Sequence, residues 1–345
     1  DAVNFNPALA LGTSTYVLGL HYGDLDAVSM AFDNQVDTAT RILREPERHS
    51  NEAFGLMIMA MTPWPYLLGH GKELGSLLRD MEGGTWAEAD VWCDETGKQI
   101  PWFAPRGGKL DAGLVFGMDT FSWCAKLLLA LCCGEAAVSK EQMQSLPSPH
   151  EFAQYATVFA KGNPTAPAHF FACPQLLAAL TSEQYGLDDQ AMGYVGFIHT
   201  VEWYKGGDCR PTSQIMAHCI KGRILARRKQ MKDANAAFEA AFVQAESLEL
   251  WLLAAFALRD LKLLVLDSIG HGDHGSRRLG DVLRHLKGPA DRLTELLGGL
   301  SVTELVALDP PEAGYEMMQL CSAPADSHLE ELRTELSAMK LSVLR

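Results

Sequence analysis

Ser213–Ala245, SQIMAHCIKGRILARRKQMKDANAAFEAAFVQA, contains two helices that can be recognised from their chemistry and from each other. In the first half, Ile215, Cys219, Ile220, Ile224 and Leu225 recur at three- and four-residue steps, the spacing of one buried helical stripe. Met231, Ala234, Ala237, Phe238, Ala241 and Phe242 repeat that pattern in the second half. Arg227-Arg228-Lys229-Gln230 between them is polar and short, so the helices are expected to fold back as an antiparallel hairpin. Gly222 and Ala226 on the first helix, with Ala234, Ala237 and Ala241 on the second, allow the two axes to approach closely. Phe238 then fills the remaining gap.

On these residues the segment resembles one tetratricopeptide repeat. Gly222, Leu225, Ala234, Phe238 and Ala241 fall on the family's small, large, small, aromatic and small positions, at its spacing. His218 departs from the pattern, standing where the family prefers Trp or another large residue, and Glu246 or Ser247 stands where Pro usually ends the unit. The resemblance covers about a tenth of the chain, and about three such units are expected for a stable array. It implies a TPR-like α-solenoid of stacked antiparallel hairpins, acting as a scaffold or adaptor that binds a partner segment in a helical groove. It also implies that Arg223 and Arg227, one turn apart on the helix lining that groove, hold carboxylates of the partner, with Lys221 and Arg228 beside them. Arg suits the task because its planar fork pairs with a carboxylate bidentately. The implied partner is a protein or peptide, acidic or ending in a C-terminal carboxylate. An ordinary charged helix end, with cations favourably placed at a C-terminus, is the plainer account of the same residues.

The chain has 345 residues, 48% of them hydrophobic, which is ample for one large domain or two smaller ones. Its 29 Lys and Arg against 43 Asp and Glu give a net charge of -14, which argues against nucleic acid as a partner. Eight cysteines, with no CxxC pair, suggest neither a zinc site nor a redox motif. Most lie in apolar helical stretches and point to a reducing, intracellular compartment, cytoplasmic or organellar. The apolar runs Leu127–Cys133 and Leu248–Leu258 are too short or too interrupted to span a bilayer. Residue 1 is Asp, which leaves room for a targeting segment outside this sequence.

From the N-terminus, Pro7–His21 and Asp24–Arg44 read as helices around Tyr22-Gly23-Asp24, and Ser50–Met61 as a Met-rich helix ended by Thr62-Pro63-Trp64-Pro65. Tyr66–Met81 follows, interrupted at Gly69-His70-Gly71. The stretch 82–108 is rich in Gly and Pro and carries Trp86, Trp92 and Trp102, and so reads as an irregular insertion. Lys109–Cys133 returns to helix, and Ser139-Lys140-Glu141-Gln142 and Ser148-Pro149-His150-Glu151 are capping boxes. Three prolines in 162–174 suggest a boundary between an N-terminal helical region, 1–161, and a C-terminal TPR-like region, 175–345, although one continuous domain fits as well. Further helices are expected at Leu176–Leu180, Ser182–Tyr204, Leu248–Leu266, Gly275–Leu286, Pro289–Leu297, Ser301–Leu308 and Ser327–Leu344. No useful alternating run and no Asn-Gly or Asp-Gly turn occurs, so the architecture is expected to be all-α.

Candidate chemistry is sparse. Gly270-His271-Gly272-Asp273-His274-Gly275 satisfies GxGxxG and precedes a helical stretch, as a dinucleotide-binding turn would, but it lacks parallel strands around it. His271, Asp273 and His274 are the candidate metal ligands, against a plain solvated loop. His199-Thr200-Val201-Glu202 has no matching Glu-x-x-His elsewhere to complete a dinuclear site. No GxSxG, HExxH or P-loop pattern appears, so the reading leans away from an enzyme and names no catalytic residue and no cofactor. The alternative is an all-helical enzyme, or a cofactor- or metal-binding protein, with its site near 82–108 or 270–275. Action as one subunit of a larger assembly is open to either reading.

Overall fold

The computed structural model of the protein describes residues 23–44, 64–73, 75–76, 126–144, 146, 148–149, 169–200 and 210–308. Among these residues the chain is predominantly helical and no strand forms, as the sequence leads one to expect. A parallel bridge joins Asp24 to Lys287, whose N–H donates to the Gly23 carbonyl at 2.8 Å. The chain divides into two compact units, Asp1–Gly19 with Leu25–Ile220, and Leu20–Asp24 with Lys221–Arg345.

In the first unit, α1 (Leu25–Arg44) buries Leu25, Val28, Ala31 and Phe32 at helical spacing. A short α2 (Trp64–Leu67) turns at Gly69, φ 83°, before the chain becomes helical again at 71. Helix α3 (126–133) is followed by a 3-10 turn (Gly134–Ala136) and by α4 (Lys140–Gln144). The Ser139 capping box forms: Ser139 Oγ accepts the Gln142 N–H at 3.3 Å and Gln142 Oε1 accepts the Ser139 N–H at 2.9 Å. Helices α5 (His169–Gln184) and α6 (Asp188–Thr200) pack as a pair, burying Leu176–Leu180 on one and Tyr194, Val195 and Ile198 on the other. Tyr185 ties them to the preceding helices, its hydroxyl donating to the Val138 carbonyl at 2.8 Å.

Helix α7 (Arg210–Arg227) is continuous, and its residues from Lys221 onward belong to the second unit. Behind it come α8 (Met231–Ser247), α9 (Trp251–Leu261), a π-helical turn (Lys262–Leu266), a 3-10 turn (Asp267–Ile269), α10 (Gly272–Leu283), α11 (Ala290–Leu296) and α12 (Val302–Val306). Gly222 lies against the Phe238 ring so closely that a Cβ there would sit 2.6 Å from Cε1. The small residue and the aromatic one therefore meet as the hairpin requires. Ala234, Phe238 and Ala241 are each fully buried.

Four helix reversals share one hydrogen-bond pattern. At Gly186, Lys229, Glu249 and Gly270 the backbone turns left-handed, with φ between 59° and 79°. The N–H of that residue bonds to the carbonyl three residues back, and the following N–H, at Leu187, Gln230, Leu250 or His271, bonds to the carbonyl five residues back. This is the Schellman arrangement, which satisfies the carbonyls left over at a helix end. The carbonyl of the following residue then accepts the first bond of the next helix, from Ala191, Ala234, Ala254 and Gly275 respectively.

Helix boundaries differ from the sequence reading at four places. Trp64 and Pro65, read as part of a break, open α2, since a proline is tolerated in the first turn of a helix. The break expected at Thr181 lies at Tyr185–Leu187, because the buried Thr181 hydroxyl donates to the Leu177 carbonyl at 2.7 Å inside an unbroken helix. Leu248 and Glu249 form a turn instead of opening the apolar helix, which starts at Trp251. Helix α10 starts at Gly272 and ends at Leu283, close to the expected Gly275–Leu286 but shifted towards its N-terminus. Pro7–His21, Ser50–Met61, 82–108 and Ser327–Leu344 lie outside the described residues.

Candidate functional site

Ion pairs and side-chain hydrogen bonds in the second unit link each helix to the next but one. Arg223 on α7 donates through Nη1 to Asp260 Oδ2 on α9 at 2.8 Å. Arg259, also on α9, holds the other oxygen of that carboxylate, with Nε at 2.8 Å and Nη2 at 2.7 Å from Oδ1. Arg259 then reaches α11, its Nη1 donating to the Leu296 carbonyl at 3.0 Å. In the alternate helices, Arg278 on α10 grips Glu239 on α8 with two parallel bonds of 2.6 and 2.8 Å, and its guanidinium lies 4.7 Å from the Phe242 ring centre. Arg284, just after α10, reaches the carbonyls of Val306 and Leu308 at the end of α12.

The Asp260 carboxylate is only 6% exposed, so its charge is out of water and has to be matched. Two guanidiniums, 19% and 22% exposed, do this and leave the cluster with a net positive charge. Each cation presents part of its surface outward from a fixed position. Arg227, one turn beyond Arg223, is exposed, as is Arg228, while Lys221 is half-buried. The sequence reading identified Arg223 and its neighbours but not Asp260 or Arg259, which lie in the apolar helix α9. The visible signal was a charged pair, Arg259-Asp260, inside an otherwise hydrophobic run.

The glycine-rich loop has a packing explanation at each glycine. Gly270 takes the left-handed conformation of the reversal, φ 79°. A Cβ at Gly272 would collide with the Asp267 carboxylate, which Lys262 holds at 2.9 and 3.0 Å. A Cβ at Gly275 would sit 2.9 Å from the Leu266 side chain, so α10 approaches the π-helical turn closely there. His271 and Asp273 are exposed and His274 is half-buried. Among the described residues, no three His, Cys, Asp or Glu side chains gather as a metal site would require.

Other reactive side chains are accounted for locally. His199 on α6 stacks obliquely on His218 of α7, ring centres 4.1 Å apart, so each imidazole packs on the other. His285 stacks on Trp251 at 4.0 Å, with the rings 11° from parallel. Burial, and then the neighbouring Cys133, pushes the Cys132 thiol up to about 12, far from the range in which a cysteine acts as a thiolate nucleophile. No helix of the described residues is long and apolar enough to cross a membrane. Compared with protein families, with characterised proteins and with solved structures, the chain matches none.

Proposed function

We propose that the second unit is a short TPR-like α-solenoid that serves as a protein-interaction scaffold, taking an acidic partner segment along the face that carries Arg223 and Arg227. The observation that carries this reading is the double ladder: α7 to α9 to α11 through Arg223, Asp260 and Arg259, and α8 to α10 to α12 through Glu239, Arg278 and Arg284. Contacts between a helix and the next but one are what stacked hairpins make, because first helices line one layer and second helices the other. Reversals of one geometry at Lys229, Glu249 and Gly270, about twenty residues apart, support the same reading. The first layer then presents partly exposed guanidiniums in fixed positions, with Arg227 continuing the row.

Arg223 cannot serve as the tested position, since a Glu there would face the buried Asp260 carboxylate and destabilise the fold. The variant of choice is Lys221→Glu/Arg227→Glu, checked by circular dichroism. In a pull-down from the native source, wild type should retain a partner that this variant binds at least about tenfold more weakly, with capture weakening as salt rises. Partners that bind both proteins equally at every salt concentration would remove the row from consideration as the binding face.

A further inference from the structure

A second surface of the same unit has a different chemistry. Leu263 is 43% exposed, Leu264 38% and Ile269 49%, three large aliphatic side chains within the π-helical and 3-10 turns that end α9. Single exposed aliphatic residues are ordinary on any surface, but three in one reversal form a patch. Topology places that patch beside the basic turn between α7 and α8. Short reversals make α8 antiparallel to both α7 and α9, so the start of α8 meets the end of α9, and α8 does touch the π-helical turn. The same pairing follows from Arg223 on Asp260, because one further turn along the two helices brings the chain to Arg227 and to Leu263-Leu264.

Arg228, Lys229 and Lys232 are all exposed at this edge. Its acidic groups are Asp267, which Lys262 already holds, and the exposed Asp233 and Asp273. Cations therefore predominate locally in a chain of net charge -14. The aliphatic side chains all lie in the single reversal between α9 and α10. Aliphatic groups flanked by exposed lysine and arginine suit an interface with a hydrocarbon layer beneath anionic headgroups, which needs no shaped groove to receive it.

We infer that this edge, formed by Arg228, Lys229, Lys232, Leu263, Leu264 and Ile269, is a peripheral docking surface for an anionic lipid bilayer. The test is co-sedimentation of the full chain with phosphatidylcholine vesicles, with and without phosphatidylserine, at low and high salt. Wild type should sediment with the phosphatidylserine vesicles alone and be released by salt. Arg228→Gln/Lys229→Gln/Lys232→Gln and Leu263→Ser/Ile269→Ser should each weaken partitioning at least about tenfold, the first by losing headgroup attraction and the second by losing inserted aliphatic surface. All the altered side chains are exposed, and thermal melts of the variants should match wild type. Failure of wild type to bind either vesicle overturns the proposal, as does binding that survives both substitutions. Loss of a protein partner in these variants, with no vesicle binding by wild type, would make the edge a protein interface and would also overturn it. The Lys221→Glu/Arg227→Glu variant keeps all six residues of the edge, so the two surfaces can fail separately.

Discussion

Lys229 and Glu249 occupy the left-handed position of their reversals with φ of 63° and 59°, where Gly186 and Gly270 serve elsewhere. A residue with a Cβ is disfavoured there by about 1–2 kcal/mol, while the freedom glycine adds to the unfolded chain takes back about 0.4–1 kcal/mol. Lys229→Gly and Glu249→Gly should therefore each stabilise the protein, by roughly 0.5–1 kcal/mol. Urea denaturation would show it as a higher midpoint with an unchanged slope; an unmoved or lower midpoint would mean that the side chains offset the backbone cost. Legibility divides the same way at this scale. Gly270 was visible as punctuation, whereas nothing in Ser-Leu-Glu-Leu-Trp at 247–251 announces a turn, because its signal is a backbone conformation that no residue type there advertises. Nor could Asp260 be matched to Arg223 in advance, since residues so far apart in sequence become neighbours only once two intervening reversals have been formed.

Helices were the most legible level. The three- and four-residue stripes located α7 and α8 to within a few residues of Arg210–Arg227 and Met231–Ser247, and the small residues foretold where the helices meet. Glycines in helices then allow opposite expectations for one substitution. Gly222→Ala would drive a methyl into the Phe238 ring, whose nearest atom lies 2.6 Å from the new Cβ, and should cost about 1–3 kcal/mol. Gly196→Ala, on the exposed side of α6 with nothing within 4 Å of the new methyl, should stabilise by roughly 0.5–1 kcal/mol through helix propensity. Thermal melts of the two single variants decide it: shifts of the same sign would show that Gly222 is not a packing contact. The GxGxxG pattern is instructive here, because close helix packing and phosphate binding both select for absent side chains. Only neighbours distinguish them, and the neighbours of Gly272 and Gly275 are the protein's own Asp267 and Leu266.

Across the whole molecule, side-chain links of the second unit run from each helix to the next but one, so the proposed repeat arrangement predicts stability graded along the series of helices and not uniform. Helices α8, α9 and α10 have neighbours on both sides, whereas α11 and α12 are only seven and five residues long and close the series, Arg259 reaching one carbonyl of α11 and Arg284 two carbonyls at the end of α12. Amide hydrogen exchange should be slowest in α8 to α10 and faster by at least about tenfold in α11 and α12. Uniform protection across all five would indicate one indivisible core and would count against the repeat reading. The all-α class was legible because it follows from periodicity summed over many residues. The arrangement of the helices was not, since alternate-helix pairing is a property of reversals and distant charges.

The π-helical turn at Lys262–Leu266 closes with the Asp267 N–H on the Lys262 carbonyl, five residues back instead of four. Geometrically, it is a one-residue surplus at the end of α9, just before the 3-10 turn. Each residue of an α-helix advances the azimuth by about 100°, so that surplus sets the angular phase of everything from Leu266 to the start of α10. The close seat of Gly275 against Leu266 and the outward aim of Ile269 are both downstream of it. Shortening the segment by one residue would keep every side chain type yet rotate the reversal away from its neighbours. At this point the spacing of the chain, more than the identity of any residue, sets the register of the helix that follows.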